Sequence, residues 1–192
     1  MGCTLTNGYS LSNCVASVGG VYTIYAAGHE KNIVFGNSTG NMVDGYDSTA
    51  LDLSSDLVGG LLVFKEFEQD IEIAGATESV TVDRVTGTRF YEQTVNLTIH
   101  YGKVAADNDT IRSTMEELSK GNMLLIVKEN SGIYKMYGAE NGLRVTTGAS
   151  GSGTSFGDMN GITLTLTGKE SEAATIVDLA STPTAPIVAF SL

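Results

Sequence analysis

A chain of 192 residues with 11 Lys+Arg against 22 Asp+Glu has a formal net charge of −11, which repels nucleic-acid phosphates and argues against a DNA-binding domain, though not against work beside DNA. Its length suffices to bury one sizeable core without staples. Tryptophan is absent, prolines number 2 and glycines 23, and the wealth of Thr, Ser, Val and Ile favours strands and turns over helices.

A polar, glycine-rich arm over residues 1–20 leads into "VYTIYA" (21–26), which reads as a strand, as does "NIVF" (32–35). Residues 36–60 show no sustained period and many turn formers, the signature of a long loop, and such loops inside compact domains are usually functional or mobile. "VFKEFEQDIEI" (63–73) poses a sharper question. As an extended strand it puts Val63, Phe67, Ile71 and Ile73 on one face and Glu66, Glu68, Asp70 and Glu72 on the other. Carboxylates at every second position sit ~7 Å apart and repel one another. Three readings stay open for this column: a solvated strand face, a calcium-collecting surface, or an electronegative face turned toward a polyanion that must not stick.

"SVTVDRV" (79–85) predicts another strand, and "TRFYEQTVNLTIHY" (88–101) a half-buried antiparallel one. In the latter Tyr91, Val95, Leu97, Ile99 and Tyr101 alternate with Glu92, Thr94, Asn96, Thr98 and His100. One helix is expected over about residues 108–120, capped by Asn108 or Asp109, with Ile111, Met115 and Leu118 on one face and Lys120 and Gly121 as the ending. The remainder predicts hairpins: "NMLLIVKE", an "NSG" turn, "IYKMYG", an "AENG" turn, "LRVTT", a second flexible loop at 148–159, the alternating "ITLTLTG", and a last strand at "PIVAF".

No motif announces chemistry. His29 and His100 are far apart and lack metal-ligand spacing. "DNDT" (107–110) departs from a calcium loop, because Ile111 and Arg112 stand where further ligands and glycine are needed. "GASGSGTSFG" lacks the Gly-Lys-Ser/Thr ending of a phosphate loop, and no nucleophile elbow occurs. Cys3 and Cys14 match neither a disulfide scaffold nor a CxxC pair and are expected as free thiols. "MGCTLT" fits the short myristoylation pattern without a neighbouring basic cluster. No run reaches the ~18 apolar residues of a membrane span, and no secretory signal is evident. The expectation is therefore a soluble non-enzyme made inside the cell, with no catalytic, cofactor-binding or metal residues, no cofactor and no membrane partner.

The order of elements from "YEQTVNLTIHY" through "VKENSGIYKMYG", "ENGL" and "DMNGITLTLTGKE" resembles tail tube and related tail structural proteins of tailed bacteriophages. The opening "CTLTNGYSLSNCVASVGGVYTIYA" is similar to that of virion proteins from phages of Bacteroides, including the crAss-like phages. What the resemblance implies is a single domain over 1–192, mainly β, a β-sandwich or rolled antiparallel sheet flanked by one α-helix. Its copies would assemble as homo-oligomeric rings, of six subunits or else twelve, that stack into the DNA-ejection conduit of a virion tail, the protein being made in the bacterial host cytoplasm. Adjacent tail or portal-proximal proteins would be its partners, and viral DNA would pass through without specific binding. On that basis Glu66, Glu68, Asp70 and Glu72 would face the bore. The arm 1–20 and the loops 36–60 and 148–159, with Asp44, Tyr46, Asp47, Phe156 and Asp158 as candidates, would touch neighbouring subunits or rings. The alternative is a receptor- or carbohydrate-binding β-sandwich on a fibre or capsid surface, which predicts an aromatic platform on exposed loops.

Overall fold

Two strands carry the clearest alternation, and they form the centre of one sheet. β7 (Arg89–His100) and β11 (Gly161–Glu170) pair antiparallel from Gly161 opposite His100 to Glu170 opposite Tyr91. Val95, Leu97, Ile162, Leu164 and Leu166 point to one side and are almost wholly buried, each removing a branched side chain from water for about 1.5–3 kcal/mol. In the computed structural model, which describes residues 19–29, 34–35, 51–52, 57–58, 64–69, 74–102, 104–154 and 158–178, β6 (Gly75–Val82) and β10 (Arg144–Gly151) complete this four-stranded sheet. The order is β10-β11-β7-β6, antiparallel throughout.

A six-stranded sheet lies against its apolar side. Its order is β3-β12-β9-β8-β1-β5, built from β1 (Val21–Gly28), β3 (Leu51–Asp52), β5 (Lys65–Glu68), β8 (Met123–Glu129), β9 (Tyr134–Tyr137) and β12 (Thr175–Asp178). The step from β12 to β3 is parallel and the rest antiparallel. A separate two-stranded pair joins β2 (Val34–Phe35) to β4 (Leu57–Val58). One cluster joins the sheets, uniting Ile24, Phe67, Leu125 and Val127 with Val95, Leu97 and Leu164. A second cluster, Ala27, Phe64, Leu124, Ile126, Met136 and Val177, occupies the other side of the six-stranded sheet. Apolar residues on both faces explain why β8 reads as the unbroken run "MLLIV" rather than as an alternation.

α1 (Ala105–Lys120) adds Ile111 and Leu118 to the inter-sheet core, so a mainly β fold with one helix among the described residues is as expected. Its start differs from the sequence reading. The helix begins at Ala105 with Val104 at the cap and no side-chain cap bond, because two alanines, the strongest helix formers, carry the turn back past Asn108 and Asp109. Asn108 therefore lies inside the helix, its Oδ1 buried and unpartnered. The ending at Lys120 and Gly121 is as read, although Gly121 is extended (φ −130°) and not left-handed.

The 148–159 loop is also shorter than expected. β10 runs on to Gly151, pairing Gly148 with Leu164 and Ser150 with Ile162. A Cβ at 148 would come 2.9 Å from Leu164 Cδ2, so a side chain there would force that leucine to shift, while Gly153 takes a left-handed φ of 70°. β12 ("TIVD") was not anticipated, and β3 and β4 fall within the stretch read as loop. The expected strand at 186–190 and the arm before residue 19 lie outside the described residues.

Candidate functional site

The two sheets differ in what they leave open. The six-stranded sheet ends in short strands, β3 of 2 residues and β5 of 4. The four-stranded sheet ends in two strands of 8 residues each, β6 and β10, and among the described residues neither has a partner on its outer side. Long unpaired edges present rows of backbone N–H and C=O groups and are templates for pairing with another chain. The β6 edge carries Val80 and Val82, each 56% exposed, with no lysine to discourage contact. Beyond it the hairpin tip holds Val85 in the open at 95% exposure. The tip is locally built: Asp83 Oδ1 accepts the Val85 N–H at 2.8 Å. That bond and those from Thr86 hold the Asp83 carboxyl below its ordinary range.

The face of the four-stranded sheet turned away from the core is lined by hydroxyls. Cross-strand registers place Thr77, Thr94 and Thr167 in one row and Asn96, Thr165 and Thr147 in the next; Thr98, opposite Thr163, is itself buried at 3% exposure, and its N–H donates to Gln69 Oε1 at 2.8 Å. Thr165 Oγ1 donates to Asn96 Oδ1 at 3.0 Å. Charge on this face is sparse, and Glu92 stands directly opposite Lys169.

A polar staple fixes the sheets to each other at one end. The turn after β9 crosses the inner face of β7 and β11, where Gln93 Oε1 accepts the Gly138 N–H at 2.8 Å. The Glu170 carboxylate accepts the N–H groups of Glu140 at 2.9 Å and Asn141 at 3.1 Å. Glu170 is 3% exposed, and burial raises its pKa despite those donors and the nearby His29. The imidazole of His29 reaches the Ala139 carbonyl at 3.2 Å. Nothing in the sequence pattern set Gln93 or Glu170 apart from their exposed-looking neighbours.

Of the carboxylate column, Glu66 and Glu68 are on β5, at the edge of the six-stranded sheet, while Asp70 and Glu72 lie outside the described residues. Phe67 points into the inter-sheet core and the two glutamates point away from it, as the alternation requires. Their face is not purely acidic. Phe64 is buried in the apolar cluster on that same side, and half-buried Glu66 accepts a hydrogen bond from Tyr25 at 3.2 Å. The Tyr25 hydroxyl is pushed well up, first by burial and then by the Glu66 charge. Beside them Lys128 sits over the rings of Tyr22 and Tyr134, 5.1 Å and 5.5 Å from their centroids.

Among the loop candidates, Asp44, Tyr46, Asp47 and Phe156 lie outside the described residues. Asp158 is exposed, and its Oδ2 accepts the Thr154 N–H at 2.7 Å and the Thr154 hydroxyl at 3.0 Å, tying the β10–β11 connection to itself. Among the described residues no group of three or more His, Cys, Asp and Glu is placed to hold a metal ion, and no helix is long and apolar enough to cross a membrane. A cleft of about 200 Å³ between α1 and β1, lined by Ala26, Phe67, Leu118 and Met123, is smaller than the ~300–1,000 Å³ of ordinary ligand pockets. No family model matches this chain, and neither a curated protein nor a solved structure matches it.

Proposed function

We propose that this chain is a structural protein of a phage virion, whose copies join edge to edge into rings of the tail and form part of the conduit for DNA ejection. The observation that carries the reading is the pair of long edges on one sheet that have no partner strand among the described residues. With four antiparallel strands, β6 and β10 run in opposite directions, so the β10 edge of one copy meets the β6 edge of the next in antiparallel sense. Rotation about a single axis then continues the sheet without a break and leaves no edge exposed. Six copies would give about 24 strands spaced ~4.8 Å, a wall roughly 37 Å across before strand tilt widens it, which is room for a duplex. The likeness of the sequence to tail structural proteins points the same way.

Electron micrographs of the purified protein at high concentration, with light scattering across a dilution series, test the reading. Rings or tubes are expected, and lysine at both Val80 and Val82 should abolish them while leaving the circular dichroism spectrum of the monomer unchanged. A wild-type chain that stays monomeric at every concentration overturns the proposal.

One observation favours the alternative, a carbohydrate- or receptor-binding module. Tyr22, Tyr25 and Tyr134 gather on the outer side of the six-stranded sheet, Tyr22 being 49% exposed. Against it, the Lys128 ammonium already lies over two of those rings. Glycan-array binding that is lost in Tyr22→Ala would revive that reading.

A further inference from the structure

We infer that the surface past which DNA travels is the hydroxyl-lined outer face of the four-stranded sheet, and not the acidic stretch that begins at Glu66. The inference rests on the ring reading above. If β6 and β10 join copies, the four-stranded sheet is the continuous wall, and the rest of each copy must lie on one side of it. The six-stranded sheet and α1 pack against the face carrying Val95, Leu97 and Leu164. That bulk belongs on the outside, because circumference grows with radius and only the outer layer has space for it. The face left toward the axis carries Thr77, Thr94, Thr163, Thr165 and Thr167 with Asn96.

The chemistry suits a passing polyanion. Threonine hydroxyls hydrogen-bond water as donors and acceptors and carry no charge, so a phosphate gains no counterion-release affinity from them and meets no repulsive barrier. β-branching holds each side chain in few rotamers, and facing threonines support one another across strands, which makes the surface even and stiff. Its fixed charges are held close to home: Lys169 is opposite Glu92 and its ammonium lies 4.9 Å from the centre of the Phe90 ring, while Arg144 Nε donates to Asn122 Oδ1. Glu66 and Glu68 point to the side of the six-stranded sheet remote from this wall, which places them on the exterior of the ring.

Thiol-directed gold labelling locates both faces. In a background with Cys3 and Cys14 replaced by serine, Thr165→Cys and Glu68→Cys variants are assembled, labelled with maleimide gold and imaged end on. Thr94→Cys serves as a second wall variant if Thr165→Cys does not fold. Gold in the central hole for the wall variants and outside the ring for Glu68→Cys is the expected pattern. Intact rings with the reverse pattern overturn this inference and leave the ring reading standing. A wild-type chain that forms no rings removes both. A second arm uses Thr94→Lys with Thr165→Lys: rings of this variant should retain duplex DNA at least tenfold more than wild type at low salt and release it as salt rises. Unchanged retention in intact rings overturns the inference as well.

Discussion

Gln93 and Gly138 stand 45 residues apart in sequence, yet the side-chain oxygen of one accepts the backbone N–H of the other at 2.8 Å, inside the seam between the two sheets. Gln93 is 2% exposed, so no water replaces it. Gln93→Leu should therefore cost about 1–3 kcal/mol, the penalty of a buried donor left without a partner. The midpoint of urea unfolding at constant slope measures it, and a loss below about 0.5 kcal/mol would mean that the turn relaxes to find another acceptor.

Glu170 gives the molecule a pH dependence of definite sign. Burial raises its folded pKa above that of the unfolded chain, so over the interval between those two values the folded state binds more protons. Its contribution to stability is then fully present below the unfolded pKa and is lost as pH rises through the folded one. Thermal unfolding followed from neutral pH down toward pH 4 should show the wild type gaining on Glu170→Gln as acid is added. Parallel curves for the two proteins would refute the assignment.

The same turn approaches β11 too closely for a side chain. A Cβ on Gly168 would lie 2.8 Å from the Gly142 carbonyl oxygen and 2.7 Å from Leu143 Cδ2. Gly168→Ala should destabilise by about 1–3 kcal/mol through overpacking. Gly75, with nothing within 4 Å of its would-be Cβ, is the control, and Gly75→Ala should change stability by no more than about 0.5 kcal/mol.

Not every visible ion pair matters. Lys65 Nζ lies 3.3 Å from Glu117 Oε2, but the two side chains are 49% and 66% exposed, and solvent screens them. Glu117→Gln should shift stability by less than about 1 kcal/mol, with the difference vanishing at high salt. A larger loss would indicate that this pair, at the mouth of the cleft beside α1, anchors the helix.

The strands of the inner pair were legible because one face of each is buried and the other is not: Leu97 and Leu164 against Asn96 and Thr165 leave a period of two in the text. β12 was illegible for the opposite reason. It is four residues long, and of its three residues with described side chains only Val177 is buried, too little for a pattern. The start of α1 was missed because a side-chain cap was assumed where alanines alone suffice, and the length of β10 because Gly148 looks like a loop until Leu164 is seen filling its place. The carboxylates at 66 and 68 were read correctly as one face of a strand. What their spacing could not convey is that Phe64 and Tyr25 share that side, or that the freer wall of the molecule is carried by threonines whose sequence signature is ordinary.

One irregularity on the outer strand has a geometric consequence. The pairing of β10 with β11 shifts by one residue between Val145 and Thr147, and such an insertion bends and twists the strand that carries it. In the rings proposed above, where β10 joins a further copy, Thr146 would act as a wedge whose angle is repeated at each junction. Closure after a whole number of copies depends on that angle, and a junction that misses closure would wind into an open helical filament. On that proposal, deleting this one residue would be a change of architecture: the wall would remain a wall, but its count of subunits, and the width of what it encloses, would not.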